Sequence, residues 1–206
     1  MITKDIRREL RAATGRSYAE AAEVASRRLA VEAAAGGLVD VAYTETDSPL
    51  GTLLIASTPK GLVRLAYPDE DREDVLEELA RSVSPRILEA PERLDEVRRK
   101  LEDYFEGRRR GFDFEVDFAL TKGFVRRVLR ATARIPYGEV ATYRVVAKNA
   151  GNVRAVRAAG NALGSNPIPI VVPCHRVIRT GGGLGGYTGG LRRKEYLLKL
   201  EGVPAG

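Results

Sequence analysis

The residues best suited to chemistry in this chain are Cys174 and His175, which are the only cysteine and the only histidine among 206 residues. A cysteine attacks as its thiolate, and a nearby imidazole commonly removes the thiol proton near neutral pH. The preceding run, from Ile168 to Val172, is apolar and β-branched, which predicts a short buried strand. Three prolines punctuate it and limit its pairing, so an edge or irregular strand is favoured.

The same pair also has an interpretation without chemistry. A lone cysteine after an apolar run is usually an inert core residue. Neighbours on a strand point to opposite faces, so Cys174 and His175 would need an additional acid or a bridging water to be coupled. The adjacency of the two residues leaves both interpretations open.

The five residues from Pro173 to Val177 read Pro-Cys-His-Arg-Val, and they resemble the active-site signature of the O6-alkylguanine-DNA alkyltransferases. This family is also called the methylated-DNA–protein-cysteine methyltransferases. The resemblance runs from about residue 124 to 202 and, more weakly, back to about residue 39. It also rests on the flanking motifs Asn166-Pro167, Tyr187, Gly189-Gly190, Lys194-Glu195-Tyr196-Leu197-Leu198 and Glu201-Gly202.

The resemblance implies a DNA repair protein that transfers the alkyl group of O6-alkylguanine irreversibly to its own cysteine, once per molecule. O4-alkylthymine is a second candidate substrate. Cys174 would be the nucleophile, His175 would withdraw its proton through a water, and Glu201 would orient the imidazole. Asn166 would brace the segment by hydrogen bonds to backbone, and Tyr143 would donate to N3 of the leaving guanine. The reaction is expected to need no cofactor and no metal.

The family resemblance also implies how DNA is held. The second helix of a helix-turn-helix would enter the minor groove, with Arg157 replacing the flipped nucleotide in the stack. Tyr143 would push on the target phosphate, because a stacked base is out of reach of a buried thiol. Arg154 lies one helical turn before Arg157, and Thr121 and Lys122 would anchor phosphates.

A glycine-rich stretch from residue 179 to 190 follows the signature. Gly181, Gly183 and Gly186 satisfy the GxGxxG spacing of a dinucleotide site, but no helix opens there and no second parallel strand follows. A flexible wall over a base pocket is the better interpretation. Tyr187 would stack on the purine, Thr188 would bond its edge, and Val177 would complete the base pocket.

The charge distribution divides the chain into two halves. The net charge is +6, yet residues 120–206 hold 15 Lys and Arg against 3 Asp and Glu, while residues 1–119 hold 19 against 25. The excess of basic residues in the second half predicts a polyanionic partner, here double-stranded DNA. The alternative is a basic surface that contacts only solvent. A single cysteine and a single histidine exclude a standard zinc cluster.

The sequence also limits where in the cell the protein is expected. No apolar run is long enough to span a membrane, and residues 1–30 lack the apolar centre of a signal peptide. We therefore expect a cytoplasmic monomer that associates with the nucleoid when it is bound to DNA.

The pattern of elements predicts an α/β (α+β) protein in three parts. Residues 1–36 form a helical extension of unassigned role, ended by Gly36-Gly37. Residues 37–118 form an α/β domain, whose antiparallel three-stranded meander is followed by two helices and an extended run. Its predicted elements are strands 39–46, 51–57 and 62–67, helices 69–82 and 91–107, and the alternating run 112–118.

Residues 119–206 form the DNA-binding and alkyl-transfer domain, which is expected to be winged-helix-like. Its predicted helices are one capped by Thr121 and running to about Arg134, one from Tyr143 to Asn149 capped by Thr142, one from Val153 to Leu163 capped by Asn152, and one from Leu191 to Leu200. Glu201 lies at the end of the last helix, where an acidic residue is unfavourable for the helix dipole. A functional role for Glu201 is therefore favoured.

Two other functions remain open from the sequence. One is a lesion-binding relative that does not transfer the alkyl group, but such proteins lack the cysteine that is present here as Cys174. The other is a helix-turn-helix regulator whose cysteine senses alkylation or oxidation. No separate regulatory DNA-binding domain is visible, and a regulator would show strong sequence preference.

Overall fold

The computed structural model describes residues 38–203, so the predicted N-terminal helices lie outside the described residues. Three consecutive strands form the predicted antiparallel meander: β1 (Val41–Thr46), β2 (Leu53–Thr58) and β3 (Gly61–Ala66). A fourth strand, β4 (Ile87–Glu89), pairs in parallel with β1 and was not predicted. Three residues are too short for a period-2 pattern to be visible, so this strand depends on its neighbour.

Both faces of the sheet are covered, because its central strand β2 is apolar at consecutive positions. Leu54 and Ala56 face helix α1 (Arg72–Ser82), which is capped by Asp71. Leu53 and Ile55 face the main core. That core is shared with a 3-10 turn (Pro91–Leu94), helix α2 (Asp95–Phe105) and the helices of the second half of the chain.

The second half is built on helices α3 (Gly123–Thr132), α4 (Tyr143–Asn149), α5 (Val156–Gly164) and α6 (Leu191–Leu200). Short strands β5 (Ala141–Thr142) and β6 (Val177–Ile178) pair in parallel. Helices α4 and α5 form the helix-turn-helix, and α3 packs against both of them. Within residues 38–203, no helix is long and apolar enough to cross a bilayer.

Two predicted helix starts were wrong. Thr121 does not cap α3, because its hydroxyl donates to the Phe118 carbonyl (2.9 Å) and Lys122 occupies the cap position. Asn152 does not begin α5: its side chain accepts from the Arg154 amide (3.1 Å) in a turn, and the helix starts three residues later than predicted. Arg154 therefore precedes the helix instead of lying one helical turn before Arg157 on it.

The strand predicted from Ile168 to Val172 is also absent, and a compact buried loop takes its place. The Val172 amide donates back to the Ile168 carbonyl (2.9 Å), and Ile170 has a φ of 72°, which is strained for a β-branched residue. Burial of Ile168, Ile170 and Val172 accounts for their apolar character. The β-branched residues of this segment therefore indicate burial, and the prolines keep its backbone from forming a strand.

The first half of the chain supports this loop directly. The Leu65 amide on β3 donates to the Pro167 carbonyl (2.9 Å), and the buried Arg64 guanidinium donates to the same oxygen (3.3 Å). The segment that connects the two halves, around residues 115–117, runs beside the start of β3. There the Leu62 amide donates to the Glu115 carbonyl (2.9 Å), and the Asp117 amide donates to the Leu62 carbonyl (2.8 Å).

Gly61 offers a test of that connection. It has a φ of +127°, and an added Cβ would lie 2.2 Å from the Glu115 carbonyl oxygen. We expect Gly61→Ala to lower the free energy of unfolding by at least about 2 kcal/mol, measured by urea denaturation. Gly111→Ala is the control, because a Cβ there meets open space; it should stay within about 0.5 kcal/mol of the parent protein. Equal effects of the two substitutions would contradict the close approach at Gly61.

Candidate active site

Asn166 shapes the loop that carries the cysteine. Its side-chain amide donates to the Val172 carbonyl (2.8 Å) and to Cys174 Sγ (3.1 Å), and its oxygen accepts from the Ile168 amide (3.1 Å). The Asn166 side chain thus closes the loop and contacts the sulfur. Because Asn166 and the bonded groups are buried, each of these bonds is costly to lose.

Cys174 begins a 3-10 turn (Cys174–Arg176) and is only 4% exposed. Burial raises the pKa of its thiol to about 11, although the hydrogen bond from Asn166 and the charge of Lys194 act in the opposite direction. The resting sulfur is therefore a neutral thiol at neutral pH, and a base must take its proton before or during attack.

His175 is fully buried, and its ring is held by one strong contact. His175 Nε2 lies 2.9 Å from Glu201 Oε1. Burial lowers the pKa of His175 in spite of this carboxylate, so the imidazole is neutral near pH 7. With an ionised Glu201, Nε2 carries the proton and donates it, which leaves Nδ1 as the basic nitrogen. Nδ1 has no hydrogen-bond partner among the described protein atoms.

Glu201 is ionised because its neighbours supply donors from several segments. Arg176 Nε donates to Oε2 (2.8 Å), Arg176 Nη2 to Oε1 (2.8 Å), and the Tyr104 hydroxyl to Oε1 (2.6 Å). Burial opposes ionisation, but the hydrogen bonds from His175 and Arg176 overcome it and lower the pKa of Glu201 to about 2. The unfavourable charge at the end of α6 is thus compensated by specific partners.

Lys194 is a second buried charge at the site. Its ammonium donates to the carbonyls of Val177 (2.5 Å), Gly186 (3.4 Å) and Leu184. Burial lowers the pKa of Lys194 to about 8. The side chain ties the glycine-rich stretch to β6, and it places positive charge where it favours a thiolate at Cys174.

A cavity of about 640 Å³ opens from Cys174 toward the helix-turn-helix. Tyr143 on α4 and Arg157 on α5 line it together with the sulfur. The Tyr143 hydroxyl donates to the Gly186 carbonyl (3.4 Å), so α4 also contacts the glycine-rich stretch. The cavity is further lined by Gly160, Asn161, Leu163, Gly164, Arg179, Gly186, Tyr187 and Thr188.

Tyr187 and Thr188, from the glycine-rich stretch, form one wall of this cavity. The Thr188 hydroxyl donates to the Gly164 carbonyl (2.8 Å), which fastens the wall to the end of α5. The Tyr187 hydroxyl lies 2.7 Å from that of Tyr67, which belongs to the first half of the chain. A side chain at Gly189 would meet the Tyr67 ring at 2.5 Å, so this position requires glycine.

The structure brings the predicted residues together in two linked contacts: Asn166 donates to the Cys174 sulfur, and Glu201 pairs with His175, the neighbour of Cys174. Tyr143, Arg157, Tyr187 and Thr188 line the cavity. Lys122 and Arg154 are exposed and are not among the residues that line the cavity.

Two predicted site residues do not line the cavity. Thr121 is buried and its hydroxyl donates to the Phe118 carbonyl, an arrangement that does not favour the phosphate contact, which stays a prediction. Val177 is fully buried and is not among the residues that line the cavity; it contributes its carbonyl to Lys194 instead.

Sequence reasoning missed the parts played by Arg176, Lys194, Tyr104 and Tyr67. Arg176 and Lys194 enter the sequence analysis only as elements of the signature motifs. Arg176 directly follows His175 and Lys194 stands between Arg193 and Glu195, so neither position carries a signal of burial. Tyr104 falls within the helix predicted over residues 91–107, where an aromatic residue is expected in the core. No pattern in the sequence links it to a carboxylate 97 positions away.

A buried thiol next in sequence to a buried, neutral imidazole lines one cavity together with a helix-turn-helix, and this arrangement defines a DNA-binding protein with a nucleophilic cysteine. Comparison with known proteins agrees with this class. Residues 123–203 match the family model described as 6-O-methylguanine DNA methyltransferase, DNA binding domain, and residues 41–118 match its ribonuclease-like domain.

The relatives include a methylated-DNA–protein-cysteine methyltransferase of Methanosarcina acetivorans, which is 41% identical over 78% of this chain and 97% of its own length. The inducible enzyme of that name in Bacillus subtilis is 40% identical over 71% of this chain and 82% of its own. The crystal structure of Mycobacterium tuberculosis OGT in complex with DNA superposes with a TM-score of 0.65 and 37% identity, and covers 80% of this chain and 96% of that one. The chain belongs to the O6-methylguanine-DNA methyltransferase family.

The state of the thiol can be measured directly, because Cys174 is the only cysteine. Titration by thiolate absorbance should give a pKa of about 11 in the free protein. Asn166→Ala should raise this pKa further, since it removes the donor to Sγ. Ser165→Ala, which removes a hydroxyl bonded to Ala162, should leave it unchanged. A pKa at or below the ordinary thiol value would contradict the description of the resting site.

Proposed function

We propose that this protein repairs O6-alkylguanine in double-stranded DNA by moving the alkyl group irreversibly to Cys174. The observation that carries the proposal is the shared cavity: the nucleophilic sulfur lines it together with Tyr143 and Arg157 of the helix-turn-helix. The basic charge of residues 120–206 supports a duplex DNA partner. The protein would act inside the cell as a monomer on the nucleoid.

The chemistry begins with a proton transfer. At a pKa of about 11, on the order of one molecule in ten thousand holds a thiolate at pH 7. Attack must therefore be coupled to removal of the proton. His175 Nδ1 takes it through a bridging water, while Glu201 holds Nε2–H and stabilises the imidazolium that forms.

The sulfur then attacks the alkyl carbon, and the bond between that carbon and O6 breaks. The electron pair passes to the guanine, which leaves more readily if Tyr143 donates a proton to N3. The products are unmodified guanine and a thioether at Cys174. No ordinary thiol exchange reverses a thioether, so each protein molecule acts once.

The target base must be extruded to reach the sulfur, because the guanine O6 is inaccessible to a buried thiol while it is stacked. Arg157 would fill the gap in the stack, and Tyr143 would press on the target phosphate. Minor-groove binding suits this task, since readout there is degenerate and lesions occur in any sequence. Lys122 and Arg154 would hold the phosphate backbone.

The extruded purine would lie against Tyr187, with Thr188 and backbone groups at its edge. We also propose that residues 37–118 and 119–206 are the two domains of this activity, with 1–36 as an extension. O4-alkylthymine would be the second substrate of the same pocket.

The central test is transfer of a methyl group. Incubation with duplex DNA containing O6-methylguanine should place one methyl group on Cys174, detected by intact mass and peptide mapping, with a stoichiometry of one per molecule. Cys174→Ala should abolish transfer and retain DNA binding. Binding without methylation would indicate a lesion-binding protein, and strong preference among unmodified sequences would indicate a regulator.

Base extrusion has its own test in a matched pair of arginines. Arg157→Ala should slow transfer from duplex DNA by roughly 100-fold or more, because the gap in the stack is no longer filled. It should leave transfer from free O6-benzylguanine within a few-fold of the parent protein. Arg154→Ala should weaken DNA binding and its salt dependence while the transfer rate at saturating DNA stays unchanged. Equal losses on duplex and free base would contradict the role of Arg157.

A further inference from the structure

Tyr104 reaches the candidate active site from the other half of the chain. It lies near the end of α2, is fully buried, and donates its hydroxyl to Glu201 Oε1 at 2.6 Å. Its ring packs against Phe112 (centroids 5.2 Å apart) and Tyr137 (6.2 Å). Burial and the adjacent Glu201 charge raise the pKa of Tyr104, so the phenol remains a protonated donor.

The position of this hydroxyl matters because Glu201 Oε1 is the same oxygen that holds the imidazole. Oε1 accepts from Tyr104, from His175 Nε2 (2.9 Å) and from Arg176 Nη2 (2.8 Å). Oε2 accepts from Arg176 Nε (2.8 Å) and the Gly138 amide (3.4 Å). The orientation of the carboxylate, and thus of the imidazole, is fixed by donors from separate segments.

We propose that Tyr104 is a positioning residue for alkyl transfer: its hydroxyl fixes the Glu201 carboxylate and moderates the pull of that carboxylate on His175. This inference rests on the proposed function. Because Oε1 accepts hydrogen bonds from both Tyr104 and His175, its negative charge stabilises a protonated imidazole less than it would alone. His175 therefore stays an unprotonated base until it receives the proton of the thiol. The first half of the chain thereby takes part in the chemistry of the second.

The sign of the effect of losing the hydroxyl follows from the contacts. The charged and titratable groups that face the Glu201–His175 pair, besides Tyr104, are Arg176, Tyr137, Tyr187, Lys194 and Cys174. Tyr104→Phe leaves all five of them in place. Without the hydroxyl, Glu201 binds a proton more readily and attracts an imidazolium more strongly. Both changes raise the pH at which the pair takes up a proton.

The experiment compares Tyr104→Phe with Tyr137→Phe. The Tyr137 hydroxyl also lies near Glu201 but donates to the Leu200 carbonyl (2.9 Å), so the control loses a tyrosine hydrogen bond at the same helix end and none to the carboxylate. Single-turnover methyl transfer is measured from roughly pH 5 to 8. We expect the acid limb of the rate to move up by about one pH unit in Tyr104→Phe and to stay in place in Tyr137→Phe. Acid limbs that coincide in Tyr104→Phe and the parent protein would overturn the proposal.

A second measurement needs no substrate. His175 is the only histidine, so its ring resonances give its titration directly by NMR. Tyr104→Phe should raise the pKa of His175, and site-specific 3-fluorotyrosine at 104, a stronger donor that retains the fold, should lower it. If the pKa of His175 were unchanged in both Tyr104→Phe and the 3-fluorotyrosine protein, Tyr104 would only pack against its neighbours and the proposal would be wrong. Absence of methyl transfer by the parent protein would instead contradict the proposed function, independently of this titration.

Discussion

The buried carboxylate of Glu201 is the interaction on which the rest of the site depends. An ionised carboxylate inside a protein is stable only when its oxygens are fully hydrogen-bonded. Here His175 and Arg176 supply donors from the cysteine-bearing turn, and Tyr104 supplies one from α2. The carboxylate therefore joins the end of α6, the cysteine-bearing turn and α2 in one network. Removal of one partner would leave the remaining charges uncompensated.

The fixed carboxylate decides the protonation states around the sulfur. It selects the Nε2–H tautomer of His175 and leaves Nδ1 basic, while burial keeps the imidazole neutral. Burial also keeps Cys174 a thiol, so the sulfur is weakly nucleophilic until a substrate is in place. Freely diffusing electrophiles therefore meet few thiolates at Cys174. This low reactivity protects a sulfur that can be alkylated only once.

The sequence was most informative where a residue type was unusual for its place. A unique cysteine beside a unique histidine singles out Cys174 and His175, and an acidic residue at a helix C-terminus singles out Glu201. The resemblance to the alkyltransferase signature supplies their predicted roles. The meander and α6 followed from simple periodicity. The strand predicted before Cys174 is wrong. The β-branched residues there indicate burial, whereas the prolines and the hydrogen bonds of Asn166 determine a loop. The start of α5 was misplaced, because a turn-forming asparagine resembles a helix cap.

Contacts between the two halves could not be read from the sequence. Tyr104 and Tyr67 fit ordinary core patterns, and only the packing of α2 and β3 against the second half reveals their polar partners. Lys194 lies on the packed face of α6, and three backbone carbonyls accept hydrogen bonds from its buried ammonium. Such groups are found from geometry, because their partners are distant in sequence.

The most direct test of the account is a crystal structure of the Cys174→Ala protein bound to duplex DNA that contains O6-methylguanine. The account predicts the alkylated base rotated out of the duplex into the cavity, against Tyr187, with its methyl carbon facing residue 174 and Arg157 in the vacated stack. A base that remains stacked in the duplex, or that is extruded to a surface away from Cys174, would contradict the central claim.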